Sequence, residues 1–293
     1  MNLFLTVLEI TAPVFLLAAL GFGWVRAGLA FDTRFVTQLT TYVSVPCLIF
    51  VALVEMDINR DTVARLVLAT VLGYALLTFA SWLIVRLGRL EPRTYLAPII
   101  MGNTGNIGLP IALFAFGDQG LAFALVVFAI MGTYAFTGGI WMVSGHFTLK
   151  RALTDPLVLS TLAGLLFWFF SWDLPSVMSN AAGLLGQMAI PLMLLTLGVA
   201  VSRLKIAQLS KAMVISIVRL VVCIVCGIIA AKALNLPPVQ AAVLIVQIST
   251  PVAVTSYLIA DQHGANSEDV AGLVVVSTAL SVITLPLTLA FLL

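Results

Sequence analysis

The sequence predicts an all-α membrane protein with ten transmembrane helices, arranged as two inverted repeats of five. Of its 293 residues, 62% are hydrophobic and only 9% are charged, and the mean hydropathy is +1.17. A soluble domain carries roughly 25% charged residues, so a chain with so few charges must turn much of its surface towards lipid. The net charge of +2, without any basic run, gives no indication of a nucleic-acid partner.

Ten apolar runs are each long enough to span a bilayer as a helix, which takes about 20 residues. These runs lie at about 8–25, 35–54, 64–85, 96–116, 121–145, 156–171, 181–201, 212–234, 239–260 and 270–292. The links between them, such as 86–93 and 261–269, are short and polar, so none can hold a separate soluble domain. The first run precedes the first basic residue, Arg26, which is the reverse of the order in a secretory signal. It is therefore predicted to remain as the first helix.

The basic residues predict the orientation in the membrane. With the N-terminus outside, the inward-facing links hold ten Lys and Arg residues and the outward-facing links hold three. The inward set is Arg26, Arg34, Arg86, Arg89, Arg93, Lys150, Arg151, Arg203, Lys205 and Lys211, and the outward set is Arg60, Arg65 and Lys232. This positive-inside bias predicts a multi-pass protein of the cell inner membrane with both termini outside the cytoplasm.

The two halves of the chain, 1–145 and 156–293, resemble each other at a nearly constant spacing of 143 to 145 residues. The matching features are Pro13 with Pro156, Gly21 with Gly164, residues 45–53 with 190–198, and Asp118 with Asp261. Each half has five predicted helices, an odd number, so the second copy enters the membrane in the opposite orientation. Inverted repeats of this kind are typical of alternating-access transporters.

Two predicted helices, the fourth and the ninth, contain helix-breaking residues at mid-span, in 101–110 and 247–255. Proline removes a helical hydrogen bond, and each glycine weakens a helix by about 1 kcal/mol, so Pro110 and Pro251 are each expected to keep their helix interrupted. Unwound backbone at this depth is tolerated only where it lines a cavity or is buried in protein. The breaks favour an anion site at the midplane, formed by freed N–H groups and half-helix N-termini. A kinked pair of packing helices is the alternative.

These residues resemble the auxin efflux carrier (PIN-like) family, whose bacterial members are often described as malonate or malate permeases. The signature Asn-Thr-x-x-x-Gly-[Ile/Leu]-Pro of the family's broken fourth helix matches at Asn103, Thr104, Gly108, Leu109 and Pro110. The proline of the second broken helix matches at Pro251, and an Asp-Thr-x-x-[Lys/Arg] stretch matches at Asp61, Thr62 and Arg65. The link between the fifth and sixth helices has only about ten residues, which is typical of a bacterial member.

The resemblance implies a fold shared with bile-acid symporters, in which helices 4 and 9 cross at their breaks. It implies a scaffold domain of helices 1, 2, 6 and 7 and a transport domain of helices 3–5 and 8–10 that moves as an elevator. It also implies that Asn103 contacts a substrate carboxylate, and that Asp61 and Arg65 form a supporting polar site. An exposed i,i+4 pair is the alternative for these two residues. The candidate substrate site comprises Asn103, Thr104, Gly105, Asn106, Gly108, Pro110, Gln247, Ser249, Thr250 and Pro251.

Arg219 lies within the predicted eighth helix, where a charge is costly and usually functional. A role in gating or in contacting the anion is one interpretation. The other is that its long side chain extends to the interface. The sequence leaves both open.

The sequence therefore predicts a secondary transporter of a small organic anion, a carboxylate such as an auxin-like monocarboxylate, malonate or malate. A sodium-coupled symporter of the bile-acid type is an alternative, which is disfavoured because the second break offers hydroxyl and amide groups but no carboxylate. An intramembrane enzyme is a weaker alternative, since His146 and His263 lie at helix ends and the acids form no cluster. We expect no cofactor and no metal. The expected partners are the anion and the lipid bilayer, and a homodimer is left open.

Overall fold

The structure is a computed structural model that describes residues 3–56, 58–145, 154–204 and 208–292. Over these ranges the chain is all-helical, and it contains no strand beyond a single antiparallel bridge between Gly102 and Val252. His146, Lys150, Arg151 and Lys205, which the sequence placed at helix ends or in inward-facing links, lie outside the described residues.

The helices follow the predicted apolar runs, most of them with ends within a few residues of the expected ones. Their bounds are α1 Leu3–Arg26, α2 Thr33–Val54, α3 Arg60–Leu87, α4 Pro92–Ile100, α5 Thr104–Ser144, α6 Pro156–Phe170, α7 Ser176–Arg203, α8 Leu209–Ala233, α9 Pro238–Ser249, α10 Val254–Gln262 and α11 Ser267–Leu292. In the described ranges, seven of these are long and apolar enough to cross a membrane, namely α1, α2, α3, α5, α7, α8 and α11. The chain is therefore a multi-pass membrane protein.

The fourth and fifth predicted helices have different bounds in the structure. The run predicted at 96–116 is divided, since α4 ends at Ile100 and α5 begins at Thr104. From there α5 continues to Ser144 across the boundary between the two predicted helices, where it is interrupted only at Gly117. Gly117 has φ 65° and ψ −159°, a conformation that only glycine adopts without strain, so this residue separates the two arms of α5.

Two π-helical turns directly precede a proline within a helix. One covers Thr40–Ser44 within α2 and the other covers Thr104–Gly108 at the start of α5. Each is followed two residues later by a proline, Pro46 and Pro110 respectively. A proline ring clashes with the carbonyl group of the preceding turn, and the wider π turn relieves that clash. The helix can therefore continue past each proline.

Close packing joins α1 to α7 and α2 to α6, and glycines make both contacts possible. A Cβ atom at Gly21 would fall on the carbonyl oxygen of Leu195 in α7, and a Cβ at Gly198 would fall on that of Ala18 in α1. At Gly164 of α6, a Cβ would lie 2.9 Å from the Cβ of Leu53 in α2. These helices form one packed group. The other helices pack around α3, α8 and the two divided segments.

Candidate functional site

The interruption after α4 and the interruption after α9 lie against each other. The N–H group of Asn103 donates to the carbonyl oxygen of Pro251 at 2.7 Å, and the N–H group of Ala253 donates to that of Met101 at 3.0 Å. The two short segments run antiparallel. Backbone groups that are buried and outside a helix need such partners, so the two breaks satisfy each other's backbone in part. We call this meeting point of residues 101–103 and 250–253 the crossing.

Local sequence explains why the chain is extended here. Pro251 disfavours a helical conformation at the residue before it, and Thr250 accordingly has φ −53° and ψ 150°. In the other segment, Gly102 allows a close approach: a Cβ there would lie 2.5 Å from Oγ1 of Thr250 and 3.4 Å from Nη2 of Arg219. Gly102 was absent from the predicted site, although it is the first glycine of the stretch 101–110.

The interruption of the first broken helix covers only the beginning of that stretch. Residues 104–108 form the π turn, and Pro110 lies in the first turn of the α-helical part that follows. Pro110 is buried, about two turns beyond the break. The expectation that Pro110 itself holds the helix open therefore does not fit its position, whereas Pro251 lies within the second interruption.

Several polar side chains at the crossing are buried without a partner. Asn103, Thr104, Gln247, Ser249 and Thr250 are all at most 5% exposed. The hydroxyl groups of Ser249 and Thr250 donate to carbonyl groups within α9. In contrast, Nδ2 of Asn103, Oγ1 of Thr104 and both amide atoms of Gln247 have no hydrogen-bond partner among the described residues. Each unsatisfied polar group costs about 1–3 kcal/mol, so their clustering indicates a place built for a polar ligand or for water.

Two glycines of the predicted site let other helices approach α5. A Cβ at Gly108 would fall on the side-chain amide of Gln247, which reaches α5 from α9. A Cβ at Gly105 would lie 3.0 Å from Cε of Met193 in α7 and 3.0 Å from the ring of Phe128. The remaining member of the predicted set, Asn106, is partly exposed. The structure thus brings Asn103 next to Pro251 and Gly108 next to Gln247, so that candidate residues of both broken helices meet.

Arg219 belongs to the crossing and does not extend to the interface. Only 2% of the surface of Arg219 is exposed. The Nε group donates to the carbonyl oxygen of Ile99 at 2.9 Å, and Nη1 donates to that of Thr250 at 2.7 Å. Nη2 has no hydrogen-bond partner in the part of the chain that the structure describes. Among the described residues, no carboxylate lies within 4.0 Å of its guanidinium group. Arg219 therefore binds the carbonyl ends of α4 and α9 with one side chain.

Asp61 and Arg65 are not brought to the crossing. Both are exposed in the first two turns of α3, and they form no ion pair in the ranges that the structure covers. The neighbouring Arg60 makes the long-range contact instead. Its Nη2 donates to the carbonyl oxygen of Phe169 in α6 at 2.6 Å, and its guanidinium group lies 4.5 Å from the centroid of the Phe169 ring.

Sequence reasoning also missed Ser277 in α11. Its hydroxyl oxygen accepts a hydrogen bond at 2.9 Å from the N–H group of Val252. This bond satisfies a backbone donor in the middle of the second interruption. A serine in an apolar helix carries no local signal for such a role, because the partner is 25 residues away in the sequence.

A cavity of about 770 Å³ lies between α2, α7 and the arm of α5 that follows Gly117. Its polar lining consists of Glu55, Asp118, Gln119, Ser179, Asn180 and Gln187. Leu48 also lines it and packs against the apolar cluster that contains Ile107, a few residues from the crossing. The cavity therefore lies where α2 and α7 face the second arm of α5.

Comparison with known proteins agrees with this architecture. A family model described as "Membrane transport protein" matches residues 6–146 and 140–289. An uncharacterized transporter of Methanothermobacter thermautotrophicus is 25% identical over 269 residues, which cover 87% of this chain and 88% of that protein. A protein of Rhizobium meliloti named "Putative malonate transporter" is 26% identical over 266 residues, covering 83% of this chain and 82% of that protein.

A third relative, an uncharacterized transporter of Methanocaldococcus jannaschii, is 27% identical over 202 residues, or 64% of each chain. The family and these relatives are transporters and not enzymes. The family model covers nearly the whole chain, and two motif residues of auxin efflux carriers, Asn103 and Pro251, pair with each other at the crossing. The chain therefore belongs to the membrane transport protein family, the family of the auxin efflux (PIN-like) carriers.

Proposed function

We propose that this chain carries a small organic anion across the inner membrane by alternating access, and that the crossing is its substrate site. The observation that supports this most strongly is a set of buried donors without a partner in the described ranges: Nδ2 of Asn103, Nε2 of Gln247 and Nη2 of Arg219. Amide and guanidinium donors suit a carboxylate, which only accepts hydrogen bonds. In a bilayer, lipid offers these groups no alternative partner.

The half-helix N-termini add to the preference for an anion. After the interruptions, α5 begins at Thr104 and α10 begins at Val254, and neither has an acidic residue in its first turn. A helix N-terminus carries a partial positive charge, and its first N–H groups lack helical partners. Both helices begin at the crossing, so the positive ends of their dipoles lie there and favour a negatively charged ligand.

We propose that the helices form ten membrane passes in two inverted repeats, 1–145 and 156–293. This count takes α4 with the first arm of α5 as one pass, the second arm of α5 as another, and α9 with α10 as a third. The packing supports the repeat: Gly21 of α1 contacts α7, and its sequence counterpart Gly164 of α6 contacts α2. With the N-terminus outside, the count also leaves the basic bias on the cytoplasmic side.

In this proposal α1, α2, α6 and α7 form the scaffold, and the other helices form a transport domain that moves against it as an elevator. The cavity of about 770 Å³ between α2, α7 and α5 supports such a boundary. Asp61 and Arg65 lie at the end of α3 next to Arg60, which contacts α6, so we propose that they support the domain boundary and do not bind substrate directly.

For the substrate we propose a mono- or dicarboxylate, with malonate as the first compound to test because of the name of the Rhizobium relative. The test is uptake of radiolabelled malonate into proteoliposomes that contain the purified protein. We expect saturable uptake, and exchange against unlabelled carboxylate inside the vesicles. Linear uptake over a broad series of anions, accompanied by single-channel currents, would show a pore instead of a carrier.

A further inference from the structure

The carbonyl ends of two half-helices meet near one point of the crossing. The segment α4 ends at Ile100 and α9 ends at Ser249. The last carbonyl groups of a helix have no helical partner, and they carry the negative end of the helix dipole. In transporters with broken helices, such carbonyl groups are where a coupling cation is coordinated. Because the C-terminal ends of α4 and α9 are both negative, a positive charge between them is needed to offset their repulsion.

Arg219 supplies that charge from α8. It binds one carbonyl group from each half-helix, that of Ile99 in α4 at 2.9 Å and that of Thr250 just after α9 at 2.7 Å. The side chain is buried, and no acid among the described residues is near enough to neutralise it. The two carbonyl groups are therefore the counterpart of its charge. The guanidinium group is covalently part of α8, so this cation cannot dissociate from the crossing.

We propose that Arg219 is a resident counter-cation that occupies the place where a soluble cation would bind, so that the crossing needs no sodium ion. The guanidinium group holds the two half-helices together and cancels their negative ends. The positive N-terminal ends of α5 and α10 remain uncompensated. One fixed side chain thus sets the ion requirement of the protein and the sign of charge that the crossing accepts.

Gly102 is part of this arrangement. A Cβ at this position would lie 3.4 Å from Nη2 of Arg219, and the residue pairs with Val252 across the crossing. The guanidinium group therefore lies directly beside the backbone of the first interruption. A smaller neutral side chain at position 219 would leave the carbonyl groups of Ile99 and Thr250 facing each other without a donor. A sodium or guanidinium ion could then bind to these two carbonyl oxygens.

The experiment measures thermal stability of the purified protein without substrate, so its outcome does not depend on the proposed transport function. Melting temperatures are recorded in sodium chloride, in N-methyl-D-glucamine chloride, and in the latter with low millimolar guanidinium chloride. We expect the wild-type protein to melt at the same temperature in all three. We expect Arg219→Gln to melt lower, and to regain on the order of 5 °C saturably with sodium or guanidinium at a hundredfold excess over Kd.

Two further variants complete the test. Lys232→Gln removes a positive charge from the exposed end of the same helix, and it should remain indifferent to the cation. Arg219→Lys keeps a charge, so it should fold and show no sodium dependence, and it decides the matter if the Gln variant fails to fold. A wild-type protein that is stabilised saturably by sodium would overturn the proposal. So would an Arg219→Gln variant as stable and as indifferent to cations as the wild type, or an Arg219→Lys variant that requires sodium.

Discussion

At the scale of single residues, the crossing combines paired and unpaired polar groups in one buried place. The backbone of the two interruptions is satisfied by the opposite segment, by Ser277 and by Arg219. Among the described residues, Nδ2 of Asn103 and both amide atoms of Gln247 have no hydrogen-bond partner. The first set of groups holds the crossing together, and the second set is the one that we propose binds the substrate.

Asn103→Ala should weaken carboxylate binding without unfolding the protein. A hydrogen bond to a charged group contributes about 1.5–3 kcal/mol, so Kd should rise roughly ten- to a hundredfold. The melting temperature of the free protein should stay close to the wild-type value, because Nδ2 has no partner to lose among the residues that the structure describes. Isothermal titration with malonate and a melting curve measure the two quantities. Gln38→Ala, which removes an exposed amide of α2, is the control, and an Asn103→Ala variant that binds as tightly as this control would remove Asn103 from the site.

At the scale of helices, glycine decides which surfaces can touch. In α1, Gly21 faces the backbone of α7, whereas two residues later Gly23 has no atom within 4 Å of a Cβ position. Packing against α7 thus requires glycine at position 21 of this helix but not at position 23. This contrast gives a matched pair of substitutions.

Gly21→Ala should destabilise the protein strongly, because the added methyl group meets the backbone carbonyl of Leu195 and cannot be relieved by a side-chain rotation. Overpacking of this kind costs typically about 1–3 kcal/mol. Gly23→Ala should be neutral or slightly stabilising, since alanine is the better helix former. Thermal melting in detergent measures both. Equal melting temperatures for the two variants would show that α1 and α7 do not pack as described.

The two prolines of the broken helices should differ in effect. Pro251 lies within an interruption, and replacing it with alanine restores a backbone donor and allows Thr250 to become helical. Pro110 lies in a helical turn that already accommodates it through the preceding π turn. We therefore expect Pro251→Ala to reduce malonate uptake more than it reduces the melting temperature, and Pro110→Ala to reduce uptake less. If the Pro110 variant were the more impaired of the two, the first helix would depend on its proline after all.

At the scale of the whole molecule, an elevator requires that one group of helices moves relative to the other. The contact between Arg60 in α3 and Phe169 in α6 joins the proposed transport domain to the proposed scaffold. The contact between Glu55 at the end of α2 and Ser179 in α7, with 2.8 Å between the two oxygens, lies within the proposed scaffold. These two contacts therefore distinguish a moving boundary from a static one.

Cross-linking the first contact should stop transport, while cross-linking the second should not. The paired substitutions Arg60→Cys with Phe169→Cys and Glu55→Cys with Ser179→Cys are made in a background where Cys47, Cys223 and Cys226 are replaced by alanine. Each pair is bridged by a short bifunctional maleimide, and malonate uptake is measured before and after. Full uptake by the first bridged pair would rule out relative motion at this boundary, and loss of uptake by both pairs would place the boundary elsewhere.

The sequence by itself determined the membrane character, the approximate helix positions, and the two stretches where helices are interrupted. These features are local: apolar length sets where a helix spans, and proline and glycine set where it fails. Only the tertiary structure showed that residues 101–103 are the unwound part of 101–110. Gly102 is required there because Thr250 and Arg219 leave no room for a side chain. The tertiary structure also showed that Arg219 is buried and does not extend to the interface, and it left Asp61 and Arg65 exposed. The reason is that a buried charge has a function only through the groups that pack against it, and those come from α4 and α9, far away in the sequence.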